Sequence, residues 1–240
     1  MRARYRSPTP RPIRAAPFGA LLGTTLLLAL AVSMVPVAGA ASTSPDTAAD
    51  AARIPQSVAR PISAAKAALD RATAQVLAHE LDQAATSLAT VRLKVANAHR
   101  AGLAQIGLPP TDPESDDVPG PPSVLAVLAL ERRVTIAVAD MFDGVRRPAA
   151  VDAFRQTLRS THLTRDRMLD RIIGLPPEGT GADYADGMAD TVPGYSTEAA
   201  AVSQALAQAR LTATARAVLR QALERVQAAK VKVRRAFGGE

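Results

Sequence analysis

Apolar side chains recur every three or four residues along this chain, and no other feature of the sequence constrains the fold as strongly. Between residues 62 and 76 the repeat consists of small and branched aliphatic residues: Ile62, Ala65, Leu69, Ala72 and Val76. Side chains at this spacing share one face of an α-helix. No segment of useful length alternates with the period of two that a half-buried strand requires. The sequence therefore predicts an all-α fold.

The repeat returns in later segments and predicts an antiparallel bundle of about five to six helices over residues 61–237. Pro61 suits the first turn of the first helix, because the N–H that proline lacks would be unpaired there anyway. The polar centre at 79–82 predicts either a turn or a polar patch within one long helix. Alanine dominates the repeats, and small residues let helices approach closely.

The later helix ends are predicted from capping residues and breakers. Ser123 is the expected cap of a third helix, and residues 149–173 form the expected fourth. Ser196 or Thr197 is expected to cap a fifth helix. Residues 210–212 are expected to divide the fifth helix from a sixth.

Two segments rich in proline, glycine and acidic residues interrupt the helical pattern. Residues 109–122 contain six prolines and four acids, and residues 174–196 are rich in Gly, Pro and Asp. Both segments are predicted to be loops. The first loop could separate two lobes, 60–108 and 122–237. A single bundle is favoured, because one pair of alanine-rich helices buries little apolar surface.

The first forty residues have the order of an export signal. Five arginines and no acid precede the apolar run "ALLGTTLLLALAVSMV" at 20–35, and Ala38 and Ala40 stand at the small-residue positions before a cut. The sequence predicts a signal peptide at 1–40 with cleavage after Ala40, and a secreted or extracytoplasmic location. A retained anchor is the alternative, and membrane contact is otherwise expected only before cleavage. Residues 41–60 are predicted to be a flexible spacer.

Removal of this leader changes the charge of the chain. The net charge of +7 falls to +2, with 24 basic and 22 acidic residues over 41–240. The high isoelectric point is therefore no argument for specific nucleic-acid binding. The chain contains no cysteine, so neither disulfides nor a thiol-linked lipid anchor is possible.

Basic residues concentrate at the C-terminal end. Residues 210–235 hold eight Lys or Arg and one acid, Glu224. The candidate face for an anionic partner consists of Arg216, Arg220, Arg225, Lys230, Lys232, Arg234 and Arg235. An anionic envelope polymer or an acidic protein would suit it. A solvated helix face, or contact with the acidic loops at 112–117 and 178–198, explains the same pattern.

The candidate metal ligands are three aspartates of the stretch "GADYADGMAD". Asp183, Asp186 and Asp190 share one face of a helix, with Tyr184 and Met188 on the other side. No register matches a calcium loop of the EF-hand type. The stretch is therefore interpreted as a short amphipathic helical turn, with metal binding as the less favoured reading. No cofactor is expected.

Neither the histidines nor the possible nucleophiles form a known catalytic motif. His79 lacks the second histidine of a zincin helix, His99 is expected on the outer part of its helix, and His162 is expected to pair with Asp166 at the surface. "TRDRMLDR" at 164–171 is interpreted as an exposed ladder of ion pairs. No catalytic residue is assigned.

The segments "IGLPPTDPESDDVPGPPSVLAVLALERR" and "GADYADGMAD" give the chain a resemblance to uncharacterised secreted, alanine-rich all-helical proteins of actinomycete-type bacteria. That resemblance implies export and a helical fold, and no activity. The expected function is a non-catalytic binding or structural role at the cell envelope or outside the cell. The alternatives are a calcium- or metal-responsive module and an enzyme of unrecognised type.

Overall fold

The structure is a computed structural model that describes residues 54–107 and 120–238. Within these ranges it is all-α and has no strand, so the predicted fold class is confirmed. The helices are α1 Gln56–Leu77, α2 Leu81–Ala104, α3 Pro121–Asp140, α4 Pro148–Ile173, α5 Ala182–Ala189, α6 Thr191–Ala207 and α7 Ala213–Phe237. The predicted signal peptide and cleavage site, most of the spacer and most of the first loop lie outside the described residues.

Helix α1 begins earlier than the sequence suggests. It starts at Gln56, so part of the predicted spacer is helical and Pro61 lies inside the helix rather than at its start. Burial explains the extra turn, because Val58 is fully buried against the core. Of the two readings of the polar segment, a turn is the correct one. It separates α1 from α2 at residues 78–80, where His79 has a φ of 61°.

Helix α3 is the centre of the bundle. It packs against α1, α2, α4, α5 and α6, so buried side chains lie on several of its sides. It begins at Pro121 after Gly120, whose φ of 98° suits glycine. The prediction that Ser123 caps this helix is wrong, because Ser123 is buried within its first turn.

The second predicted loop is largely helical. A short 3-10 turn at Gly179–Gly181 leads into α5, and α6 already begins at Thr191. The predicted cap at Ser196 or Thr197 is therefore wrong. Both hydroxyls instead donate to backbone carbonyls one turn earlier in α6. Burial of Tyr184, Met188 and Tyr195 supplies the packing that outweighs the Gly and Pro content.

The C-terminal helices are divided close to where the sequence predicts. Residues 208–212 separate α6 from α7, and Thr212 caps α7 by accepting a hydrogen bond from the backbone N–H of Ala215 at 3.1 Å. One continuous apolar cluster runs from Val58 to Val233. Among the helices of the two described ranges, none combines the length and apolar character needed to cross a bilayer.

Candidate functional site

Helices α3, α4 and α6 enclose a cluster of polar side chains in the core. Its centre is an ion pair in which Arg165 Nη1 of α4 lies 2.8 Å and 2.9 Å from the two carboxylate oxygens of Glu198 on α6. Neither side chain is exposed. Burial raises the pKa of the Glu198 carboxyl, and the adjacent guanidinium opposes that shift. The pair therefore ties α4 to α6 through charge inside the apolar core.

Tyr195 lies between two guanidinium groups. The Arg165 Cζ is 5.4 Å from the centre of the tyrosine ring, and the Arg132 Cζ is 5.8 Å away. Both distances fall within the range of cation–π attraction. Arg132 reaches this place because Gly194 has no side chain, and a Cβ there would overlap the guanidinium. The glycine in α6 thus makes room for a cation from α3.

Glu131 is the second buried carboxyl of the cluster. The Thr164 hydroxyl donates a hydrogen bond of 2.6 Å to Glu131 Oε1. Burial raises the pKa of Glu131 to about 8, although Thr164 and Arg165 both favour its ionised form. At neutral pH this carboxyl is therefore mostly protonated, and it adds little charge beside the Arg165–Glu198 pair.

His162 joins this cluster to the surface. Its Nε2 lies 3.3 Å from the Thr135 hydroxyl oxygen, and that hydroxyl donates to the backbone carbonyl of Glu131. The Thr135 proton is thus already engaged, which assigns the Nε2–H tautomer to a neutral His162. Burial, followed by the charges of Arg165 and Arg225, holds the pKa of His162 well below its usual value.

Three predictions about single residues in this region are wrong. His162 does not pair with Asp166 at the surface, since it is only 1% exposed and contacts Thr135. His99 is buried rather than on the outer part of α2. Arg165 belongs to the core instead of an exposed ladder. In each case an inward position on the helix, rather than residue type, decides where the side chain lies.

A basic groove opens between α4 and α7, directly outside His162. Its volume is about 580 Å³. Arg155, Arg159 and Arg225 line it together with two glutamines, and His162 lies at its base. No carboxylate belongs to this lining; the remaining lining residues are Gln156, Leu158, Val218, Gln221 and Ala222. The groove offers an anion several donors, of which Arg155 and Arg225 also pair with aspartates outside this lining.

The predicted basic residues of α7 divide between two sides of the helix. At about 100° per residue, Arg225 and Lys232 lie nearly opposite Arg216, Arg220 and Arg234. The first two pair with carboxylates of α4, Arg225 with Asp166 at 3.2 Å and Lys232 with Asp170.

Arg216 also has an intramolecular partner, because its Nη1 donates to the carbonyl of Leu206 at 3.4 Å. Arg220, Arg234 and Arg235 are exposed, and Lys230 is half-buried. Of the seven predicted residues, only Arg225 contributes to the groove.

Two of the three candidate metal ligands, Asp183 and Asp186, lie on α5, and Asp190 directly follows it. Asp183, Asp186 and Asp190 are exposed, whereas Tyr184 and Met188 are buried. This is the amphipathic turn that the sequence predicts. Over residues 54–107 and 120–238, no three His, Cys, Asp or Glu side chains are arranged to hold a metal ion.

Comparison with protein-family models, curated proteins and solved structures gives no match to this chain.

Proposed function

We propose that this chain is an exported helical protein with a non-catalytic binding role, which docks an anionic partner in the groove between α4 and α7. The observation that carries the proposal is the lining of that groove, where three arginines face the cavity and no carboxylate does. Guanidinium groups suit oxyanions because their donors form a planar fork. The two glutamine amides add neutral donors.

Charge distribution supports a local docking site rather than general attraction. The mature chain predicted from the sequence carries a net charge of only +2, so its overall field is weak. A cleft lined by one sign of charge focuses the field and raises the local concentration of ions of the opposite sign. An anionic envelope polymer or an acidic protein is the class of partner that fits, and the predicted signal peptide at 1–40 supports its meeting such a partner outside the cytoplasm.

The buried carboxyls support a structural role for the inner cluster. Glu131 and Glu198 are fully buried and do not line the groove. A general acid or base must reach the proton that it transfers, and neither carboxyl touches this surface. The two buried carboxyls therefore have no direct contact with a ligand in the groove.

The test measures binding of the purified chain to soluble polyanions by fluorescence anisotropy at low salt. Polyglutamate and long-chain polyphosphate are the probes. We expect binding that weakens as salt rises, because the attraction is electrostatic. Replacing Arg155, Arg159 and Arg225 by glutamine should weaken it at least ~10-fold, since each hydrogen bond to a charged group contributes about 1.5–3 kcal/mol.

A matched variant separates the groove from total charge. Arg60→Gln, Arg71→Gln and Arg100→Gln remove the same number of charges from exposed positions of α1 and α2. This variant should bind almost as well as the parent chain, and circular dichroism should show equal helicity for both variants. Equal loss of binding in both variants, or no binding by the parent chain, contradicts the proposal.

A further inference from the structure

The groove between α4 and α7 has the donors of an anion site. Arg155 and Arg159 lie one helical turn apart on α4, and Arg225 faces them from α7. A cavity of about 580 Å³ accommodates a small ligand that approaches two helices at once. Cations from both walls can therefore contact the same group.

Two of the three arginines of the groove form exposed ion pairs that a ligand can replace. Arg155 pairs with Asp152 of its own helix at 2.7 Å, and both side chains are about half exposed. Arg225 pairs with Asp166 at 3.2 Å and is 38% exposed. Exposed ion pairs are weak, so an anion of higher charge density can displace these carboxylates. Arg159 has no ion pair with any residue of the described ranges, and its guanidinium is ready for a ligand.

Three guanidinium groups from two directions match a tetrahedral dianion better than a carboxylate. A carboxylate presents two oxygens in one plane, which one arginine fork satisfies. A phosphate group bound through one ester linkage presents three oxygens and carries close to two charges above pH 6–7. Each of its oxygens can accept from a different arginine. The glutamine amides can donate to the same oxygens.

His162 lies at the base of the groove, and the protonation of its ring would respond to the charge of a bound dianion. The neutral ring already donates Nε2–H to Thr135, so its other nitrogen lacks a proton. A dianion bound beside the ring would favour the imidazolium form and offset the repulsion from Arg165 and Arg225. The ring therefore reports on occupancy of the groove.

We propose that the groove is a site for a phosphomonoester or inorganic phosphate dianion, bound by Arg155, Arg159 and Arg225 over the ring of His162. This inference rests on the proposed function, because it assigns a ligand class to the same groove. The ligand chemistry is a phosphate with at most one ester bond, whether free in solution or at the end of a larger molecule.

The test titrates the full chain at pH 8 with inorganic phosphate, phenyl phosphate, dimethyl phosphate and succinate, using calorimetry. Phosphate and phenyl phosphate should bind at least ~10-fold more tightly than the diester and the dicarboxylate. The affinities for inorganic phosphate and phenyl phosphate, compared with each other, show whether the site prefers a free anion or a phosphate at the end of a larger molecule. Arg159→Gln should weaken phosphate binding ~10-fold or more, whereas Arg171→Gln, an exposed arginine elsewhere on α4, should leave it unchanged.

Nuclear magnetic resonance of the imidazole rings supplies an independent readout. The chain has three histidines, and His162→Gln identifies the His162 signal. Saturating phosphate should shift that signal and raise the pKa of His162, while the signals of His79 and His99 should remain unchanged.

The outcomes separate this inference from the proposed function. Polyanion binding that depends on the groove arginines, without preference for phosphate and without a His162 response, overturns the phosphate site and leaves anionic docking intact. If polyanion binding does not depend on the groove arginines, both the phosphate site and the proposed anionic docking are overturned. Equal affinity for phosphate and succinate overturns the assigned ligand chemistry alone.

Discussion

A guanidinium group in an apolar core is stable only where an anion meets it, and Arg165 meets both carboxylate oxygens of Glu198. Burying each charge alone would cost several kcal/mol. Because each group compensates for the other, removal of one should be far more harmful than removal of both. The surrounding Tyr195 ring contributes attraction to the same cation.

A double-mutant cycle tests this coupling. Arg165→Met and Glu198→Leu should each lower the free energy of unfolding by about 3–5 kcal/mol, because each leaves an unpaired buried charge. The double variant should recover most of that loss. Urea unfolding followed by circular dichroism measures all four proteins.

The exposed pair Arg133–Asp70 at 3.0 Å provides the control for the cycle. Arg133→Gln should change stability by less than ~1 kcal/mol. Additive losses in the Arg165–Glu198 cycle, with no recovery in the double variant, would show that the two charges do not depend on each other.

Among the helices, α2 packs closely against α3 and α4 at a glycine. A Cβ on Gly102 would lie 3.1 Å from Val127 Cγ2 of α3 and 3.2 Å from Met168 Cε of α4. These contacts are tight, and cores resist added volume. The absence of a side chain at Gly102 therefore allows α3 and α4 to pack closely against α2 at this point.

Gly102→Val should lower the free energy of unfolding by about 1–3 kcal/mol, because the added methyl groups force α3 and α4 away from α2. Thermal unfolding measures the change. Valine has a higher helix propensity than glycine, so the destabilisation would arise from packing. Ala104→Val on the exposed side of the same helix should change stability by no more than ~0.7 kcal/mol. Equal effects at both positions would exclude crowding as the cause.

Element type was predictable from sequence because apolar spacing reports directly which face of a helix is buried. The start of α4 near residue 149 and the division before α7 follow from that spacing and from local capping chemistry, whereas the spacing left open whether residues 79–82 form a turn or a polar patch. Helix α5 was predicted only as a helical turn, and the start of α6 at Thr191 was missed, because Gly and Pro lower local helix propensity there. The burial of Tyr195 is a tertiary effect that local propensity does not contain.

The inner cluster was missed for a different reason. Arg165 occupies an inward position of α4, between the buried Leu158 and Ile172, but its charge suggested an exposed residue. Glu131 and Glu198 likewise lie on buried faces of their helices. The sequence did contain one signal of this burial, namely a charged residue at a position of the apolar repeat. Its partner could not be identified, because pairing depends on how α4 packs against α6.

For the whole molecule, the free energy of unfolding should depend on the protonation of Glu131. Its pKa is about 8 in the folded chain and near the ordinary value of 4.5 when unfolded. Between these pH values the unfolded state has lost a proton that the folded state retains. This group therefore stabilises the fold fully below about pH 4.5, and its contribution is lost as pH rises to about 8.

Glu131→Gln should remove this dependence while keeping an oxygen acceptor for Thr164. The stability of the parent chain relative to this variant should fall between pH 4.5 and 8, by at most about 1.4 kcal/mol per pH unit. It should be constant above pH 8. Urea titrations at several pH values measure the difference, and a difference that stays flat over that window would place the Glu131 pKa near its ordinary value.

Burial of Tyr184 and Tyr195 has an optical consequence. The chain has no tryptophan, and its third tyrosine is Tyr5 within the predicted signal peptide. After cleavage at Ala40, tyrosine fluorescence would arise only from the two rings on α5 and α6. One of them lies between two guanidinium groups. Tyrosine fluorescence would then report on the α5–α6 region and its contacts with α3 and α4. Far-ultraviolet circular dichroism, in contrast, averages over every helix. Measuring both signals during unfolding therefore reveals whether the α5–α6 region unfolds together with the other helices.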